Sequence, residues 1–119
     1  MTRAIVLFGH GSRDPHWREP MDDVARRIRA GGAQVEVRCA FLDLEQPDLA
    51  TAITELVEAG VDSIRVVPMF LGVGKHARED LPRVVERCRK AHPTTPIELQ
   101  PSVGENPRLL DLLAGIAIE

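Results

Sequence analysis

Apolar and polar positions along the chain switch between two periods, and the switching predicts four strand–helix repeats. Ala4-Ile5-Val6-Leu7-Phe8 is continuously apolar and rich in β-branched residues, the pattern of a strand covered on both faces. After it, Trp17, Met21, Val24, Ala25 and Ile28 recur at helical spacing, which predicts an amphipathic helix from about Pro15 to Ala30 that stops at Gly31-Gly32. Val35 to Phe41 alternates and then turns apolar, a second strand. Pro47 suits the first turn of a second helix, with Leu49, Ala52, Ile53, Leu56 and Val57 on its buried side and Gly60 at its end.

The third strand runs from about Ser63 to Phe70, and a loop loosened by Gly72 and Gly74 follows. Its helix is expected near Asp80, where the carboxylate can cap free amides and Pro82 falls in the first turn. Leu81, Val84, Val85 and Cys88 face inward until His92-Pro93. Ile97 to Gln100 is a short fourth strand. Asn106-Pro107 then opens a last helix, with Leu109, Leu110, Leu113 and Ile116 expected to be buried.

Strict strand–helix alternation over 119 residues implies a single α/β domain, residues 1–119, with one doubly wound, four-stranded parallel sheet between helices. In the usual order 2-1-3-4, the connections after strands one and three leave in opposite directions. The crevice between those loops is where ligands bind such sheets.

Composition narrows the partners. A net charge of -3 with three Phe, one Trp and no Tyr offers neither the basic footprint nor the stacking platforms expected of a nucleic-acid binder. No apolar run reaches membrane-spanning length and residues 1–8 do not read as a signal peptide, so a cytoplasmic protein is expected. Cys39 and Cys88 are too few and too separated for a thiolate metal site, and both read as small core residues kept reduced.

The chemistry concentrates in the two crevice loops. Gly9-His10-Gly11-Ser12-Arg13 follows strand one, and Gly72-Val73-Gly74-Lys75-His76 follows strand three, so each delivers one histidine just past a strand's carboxyl end. Asp43 and Glu45 follow strand two on the same edge. Two neutral imidazoles near a carboxylate suit a borderline divalent cation held with open positions, and the same imidazoles can carry protons near neutral pH. An ordinary hydrogen-bonding role for a loop histidine fits the spacing as well. Arg13, Lys75 and Arg78 read either as a solvated rim or as a clamp for a carboxylate-rich ligand. Histidine phosphatases place an arginine directly before the histidine, where this chain has Gly9. Neither a Walker loop nor G-x-G-x-x-G is present, and Ser12 sits in no nucleophile elbow.

Three motifs together, Gly9-His10-Gly11-Ser12-Arg13, Phe41-Leu42-Asp43-Leu44 to Pro47, and Pro68 to Pro82, closely resemble the small sirohydrochlorin chelatases of the CbiX/SirB type, which are class II chelatases. The resemblance extends through Pro101-Ser102-Val103-Gly104 to Pro107. It implies insertion of Co²⁺, Fe²⁺ or Ni²⁺ into sirohydrochlorin, in cobalamin- or sirohaem-type biosynthesis, without ATP or an organic cofactor. His10 and His76 match the family's metal-binding and catalytic histidines. Asp43 stands where the family commonly shows a glutamate, with Glu45 close by to compensate, and Ser12, Arg13, Glu45, Lys75 and Arg78 fall where substrate would bind. The small form resembles half of the larger two-domain chelatases and implies a homodimer. The competing expectation is a tetrapyrrole or divalent-metal carrier that binds without turnover.

Overall fold

In the computed structural model, which describes residues 2–119, the strands lie in the expected order. β1 (Arg3–Gly9) is central, paired in parallel with β2 (Val35–Phe41) on one side and β3 (Ser63–Pro68) on the other; β4 (Ile97–Leu99) pairs with β3. Leu7 stands opposite both Cys39 and Val67, and Phe8 opposite both Ala40 and Pro68. The sheet is therefore β2-β1-β3-β4, and all three crossovers are helical.

The helices are α1 (Glu19–Ala30), α2 (Leu49–Glu58), α3 (Lys75–Ala91) and α4 (Pro107–Ala117). Because side chains alternate along a strand, β1 feeds two cores. Ala4, Val6 and Phe8 join Ile53, Leu56, Leu81 and Val85 under α2 and α3. Leu7 joins Met21, Ala25, Val37 and Phe41 under α1. Burying a Leu-, Ile- or Phe-sized side chain in either layer stabilises the fold by roughly 1.5–3 kcal/mol before chain entropy is counted. Among the described residues no helix is long and apolar enough to cross a membrane.

Several boundaries differ from the sequence pattern, each for a local reason. α1 starts at Glu19 instead of Pro15, because Ser12 Oγ accepts from the Asp14 N–H, Asp14 Oδ1 from the His16 N–H and the Asp14 carbonyl from the Trp17 N–H. Those local bonds compete with helix, and they leave Trp17 exposed and outside α1. Pro47 precedes α2; the cap is Asp48, whose side chain accepts from the Thr51 N–H. β3 ends at Pro68, not Phe70, and β4 at Leu99, not Gln100.

The largest shift is at α3, which begins at Lys75 with Gly74 as its cap. Asp80 is thus inside the helix, and Pro82 lies exposed in its interior. Ala77 explains the early start, since it extends the buried stripe of Leu81, Val85 and Cys88 one turn toward the amino end. His76 consequently sits on the first turn of α3, not in a loop.

α4 starts as expected, with Asn106 Oδ1 accepting from the Arg108 N–H, yet none of its residues is buried. Leu109 is half-buried, while Leu110, Leu113 and Ile116, expected in the core, are exposed together with Leu112 and Ile118. The helix rests against the short 3-10 turn Val103–Glu105 and lies off the sheet.

Candidate functional site

Three loops meet at the carboxyl edge of the sheet, and backbone hydrogen bonds lace them together beyond the strands. The Leu42 N–H donates to the Gly9 carbonyl (2.9 Å) and the Asp43 N–H to the His10 carbonyl (3.0 Å), while the Met69 N–H donates to the Phe8 carbonyl (2.8 Å). Gly11 is required here. Its φ is +89°, and a Cβ on it would penetrate the Asp43 carbonyl oxygen. Just beyond, Leu44 has φ +65°, an uncommon conformation for a branched apolar residue, and the Glu45 N–H closes back on the Asp43 carbonyl (2.8 Å).

His10 is exposed, and its ring packs on buried Phe70, with centroids 4.4 Å apart. Phe70 in turn meets Phe8 edge-on at 5.9 Å. Its carbonyl accepts from the Ser102 hydroxyl and from the Gly104 N–H, so the segment after β4 holds the floor of the site. Asp43 is also exposed, with Oδ1 accepting from the Leu44 N–H (2.8 Å). His76 is exposed on the first turn of α3, whose amino-terminal amides are free of helical partners.

His10, Asp43 and His76 thus share one edge of the molecule. Among the described residues, however, no three His, Cys, Asp or Glu side chains converge as a group that could hold a metal ion. Arg13, Lys75 and Arg78 are exposed and make no ion pair among the described residues. Ser12 and Glu45 are already engaged. The Ser12 N–H donates to Glu45 Oε1 (3.1 Å), and Glu45 Oε2 lies 3.4 Å from Arg18 Nη1. Arg18 also pairs with Asp22 through Nε (3.0 Å), a bond that raises the guanidinium pKa further above its ordinary value.

The apolar pattern gives Leu42, Leu44 and Leu71 no place on a buried face and assigns Trp17 to that of α1. Trp17, Leu42, Leu44 and Leu71 all come from the three loops and are all exposed. Trp17 also approaches the Phe41 ring at 6.4 Å. Isolated exposed leucines mean little, but four large apolar side chains on the three loops of the edge that bears His10, Asp43 and His76 make a surface suited to a flat, partly apolar ligand. The available signal was the spacing Leu42-x-Leu44, which puts apolar residues into a loop that the sheet has no use for.

Two small clefts flank the edge. One of about 240 Å³ lies between α2 and α3 over Phe8, Phe41 and Leu42; another of about 140 Å³ lies between α3 and the segment after β4, over Phe70 and beside Arg78. Neither is lined by His10 or His76. The histidines stand on an open surface.

Comparison with known proteins shows what this chain is similar to. A family model described as CbiX matches residues 4–117. A sirohydrochlorin cobaltochelatase of Methanopyrus kandleri is 38% identical over 82 residues, which are 69% of this chain and 57% of the relative. The chain therefore spans little more than half the length of that curated relative. The crystal structure of a CbiX protein from Marinobacter aquaeolei VT8 superposes with a TM-score of 0.80 at 32% identity, over 97% of this chain and 93% of that one. The sirohydrochlorin chelatase SirB from Bacillus subtilis subspecies spizizenii, in complex with cobalt, also gives a TM-score of 0.80, at 25% identity, over 97% of this chain but 49% of SirB.

Proposed function

Because the chain belongs to the CbiX family, we propose that it inserts a divalent metal, Co²⁺, Fe²⁺ or Ni²⁺, into sirohydrochlorin without ATP or an organic cofactor. The observation that carries the proposal is the open carboxyl edge, where His10 on its Phe70 platform, Asp43 and His76 lie among exposed Trp17, Leu42, Leu44 and Leu71. A macrocycle lies flat on such a surface, with its apolar faces against the loops and its peripheral carboxylates within the reach of Arg13, Lys75 and Arg78.

The reaction exchanges two pyrrole N–H protons for one dication. One imidazole presents the metal through a neutral ring nitrogen, and the other, with Asp43, accepts the protons released as the nitrogens bind. Metal is substrate here and must leave with the product, so a site with few ligands suits turnover better than a closed shell. That same sparseness weighs against the carrier reading, which needs a resting place tight enough to retain metal.

The proposal extends to a homodimer in the cytoplasm. α4 is apolar over most of its surface, yet it rests mainly on the short turn Val103–Glu105 and buries none of its residues, and a helix of that kind is stable when packed on a partner. The chain also matches about half of SirB, so a second copy would restore a two-lobed body and supply the wall that the open edge lacks.

The deciding experiment follows sirohydrochlorin absorption anaerobically with Co²⁺, Fe²⁺ or Ni²⁺, comparing the protein, His10→Ala, His76→Ala and no protein. Multiple turnovers above the spontaneous rate, lost in both variants, are expected. A spectral shift that saturates at one equivalent without acceleration would make the protein a carrier instead.

A further inference from the structure

The segment between β1 and α1, residues 10–18, carries His10 and contains no helix or strand, so something else must fix its course. Its near end is fixed by the Asp43 N–H on the His10 carbonyl. Two residues later, a carboxylate from the neighbouring loop takes over. Glu45 Oε1 accepts from the Ser12 N–H at 3.1 Å, and Glu45 Oε2 is held by Arg18 Nη1 at 3.4 Å.

Arg18 is itself clamped. Nε and Nη2 donate to the Asp22 carboxylate at 3.0 and 3.1 Å, and the guanidinium lies 4.7 Å above the ring of Phe41, a residue 1% exposed. A guanidinium fork matched to a carboxylate and stacked on an aromatic face is a fixed object, unlike a lysine. Glu45, 13% exposed at its side chain, hangs between this fixed point and the His10 loop.

We propose that Arg18 is a positioning residue: through Glu45 it stitches the His10 loop to the Asp43 loop and so sets the spacing of those two side chains. Glu45 then acts through the loop instead of as a ligand to metal or macrocycle, since both its oxygens are engaged. The strained turn at Leu44 fits this assignment, because it returns the chain so that Glu45 reaches back to Ser12. Arg18 also neutralises a carboxylate that would otherwise repel an anionic substrate. The effect on turnover rests on the chelatase reading, whereas the stitch itself does not.

The test uses Arg18→Gln, Arg18→Lys, Glu45→Ala and the double variant Arg18→Gln/Glu45→Ala, read by amide hydrogen exchange and by steady-state metallation of folded protein. Arg18→Gln and Glu45→Ala should each speed exchange at the Ser12 amide about tenfold with α3 amides unchanged. A misplacement near 1 Å can cost on the order of 10²-fold in rate, so both variants should lower kcat by about 10- to 100-fold with little change in KM for the macrocycle. The double variant should be no worse than Glu45→Ala, and Arg18→Lys should recover only part of the rate. Unchanged Ser12 protection in Arg18→Gln would overturn the proposal. So would a loss confined to thermal stability, or additive losses in the double variant. If the unsubstituted protein does not metallate sirohydrochlorin, the chelatase reading fails, and Ser12 exchange alone still decides whether Arg18 holds the loop.

Discussion

The imidazole of His10 rests on the ring of Phe70 with centroids 4.4 Å apart and planes inclined by 50°. Phe70 follows β3 and His10 follows β1, so the contact ties together the two loops whose connections diverge at this point of the sheet. Ring–ring contacts of this kind contribute about 0.5–1.5 kcal/mol beyond area burial. Phe70→Leu keeps an apolar floor and removes the ring. It should lower metallation by up to about tenfold with the protein still folded, as read by paired rate and circular-dichroism measurements.

Gly11 and Gly32 form a matched pair for a glycine test. Both have positive φ, +89° and +79°, but a Cβ on Gly11 would penetrate the Asp43 carbonyl oxygen, whereas one on Gly32 meets nothing within 4 Å. Gly32→Ala should cost only the backbone strain, about 1–2 kcal/mol. Gly11→Ala should cost more in urea unfolding and abolish metallation, because relief of the clash separates Asp43 from His10.

Asp48 makes one contribution to stability depend on pH. Its hydrogen bonds from Thr51 lower the carboxyl pKa below the ordinary value, so the folded chain binds fewer protons there than the unfolded chain. The cap is fully effective above the unfolded pKa of about 3.9 and is lost as pH falls through the lower folded value. Asp48→Ala should destabilise the protein by about 1 kcal/mol at pH 7, and the difference from the parent should shrink in unfolding curves below about pH 4.

Both cysteines should be slow to alkylate. Burial pushes the Cys39 thiol pKa up, and Asp22, to which its Sγ donates at 3.8 Å, pushes it further. Burial raises Cys88 as well. At pH 7 iodoacetamide should modify the native protein several-fold more slowly than the urea-unfolded chain, since the thiolate is the reactive form.

For α4, Leu113→Glu and Ile116→Glu change two exposed apolar positions one turn apart. Sedimentation should show the parent at twice the chain mass and the variants at the chain mass, with far-ultraviolet spectra retaining the sheet. Variants that sediment identically with the parent would remove α4 from any dimer contact.

Sheet order and helix count were legible because a strand buried on both faces, such as Ala4 to Phe8, leaves a signal that competing structures do not produce. Local chemistry was less legible. Asp80 looks like a cap, yet the small residue Ala77 already satisfies the core a turn earlier, and burial of a methyl group carries little pattern. Trp17 fits the spacing of α1, but three hydrogen bonds around Ser12 and Asp14 turn the chain away before the helix can form. α4 reads as a core helix because sequence periodicity reports an apolar face without saying which body covers it. At the candidate site, the placement of His10 just past β1 was legible from its flanking glycines, whereas the helical setting of His76 was not. The clamp of Arg18 on Glu45 was not, since it depends on a side chain crossing between two loops.

The parallel sheet also sets the amino edge of the molecule apart from the carboxyl edge that bears His10. The turn from Gly31 to Gln34 lies at the amino edge, opposite His10, and is exposed throughout. Gly32 there has open space around it. A fluorophore or a bead tether attached at this turn would leave the carboxyl edge facing solution, which makes it the natural handle for single-molecule or immobilised assays of the protein.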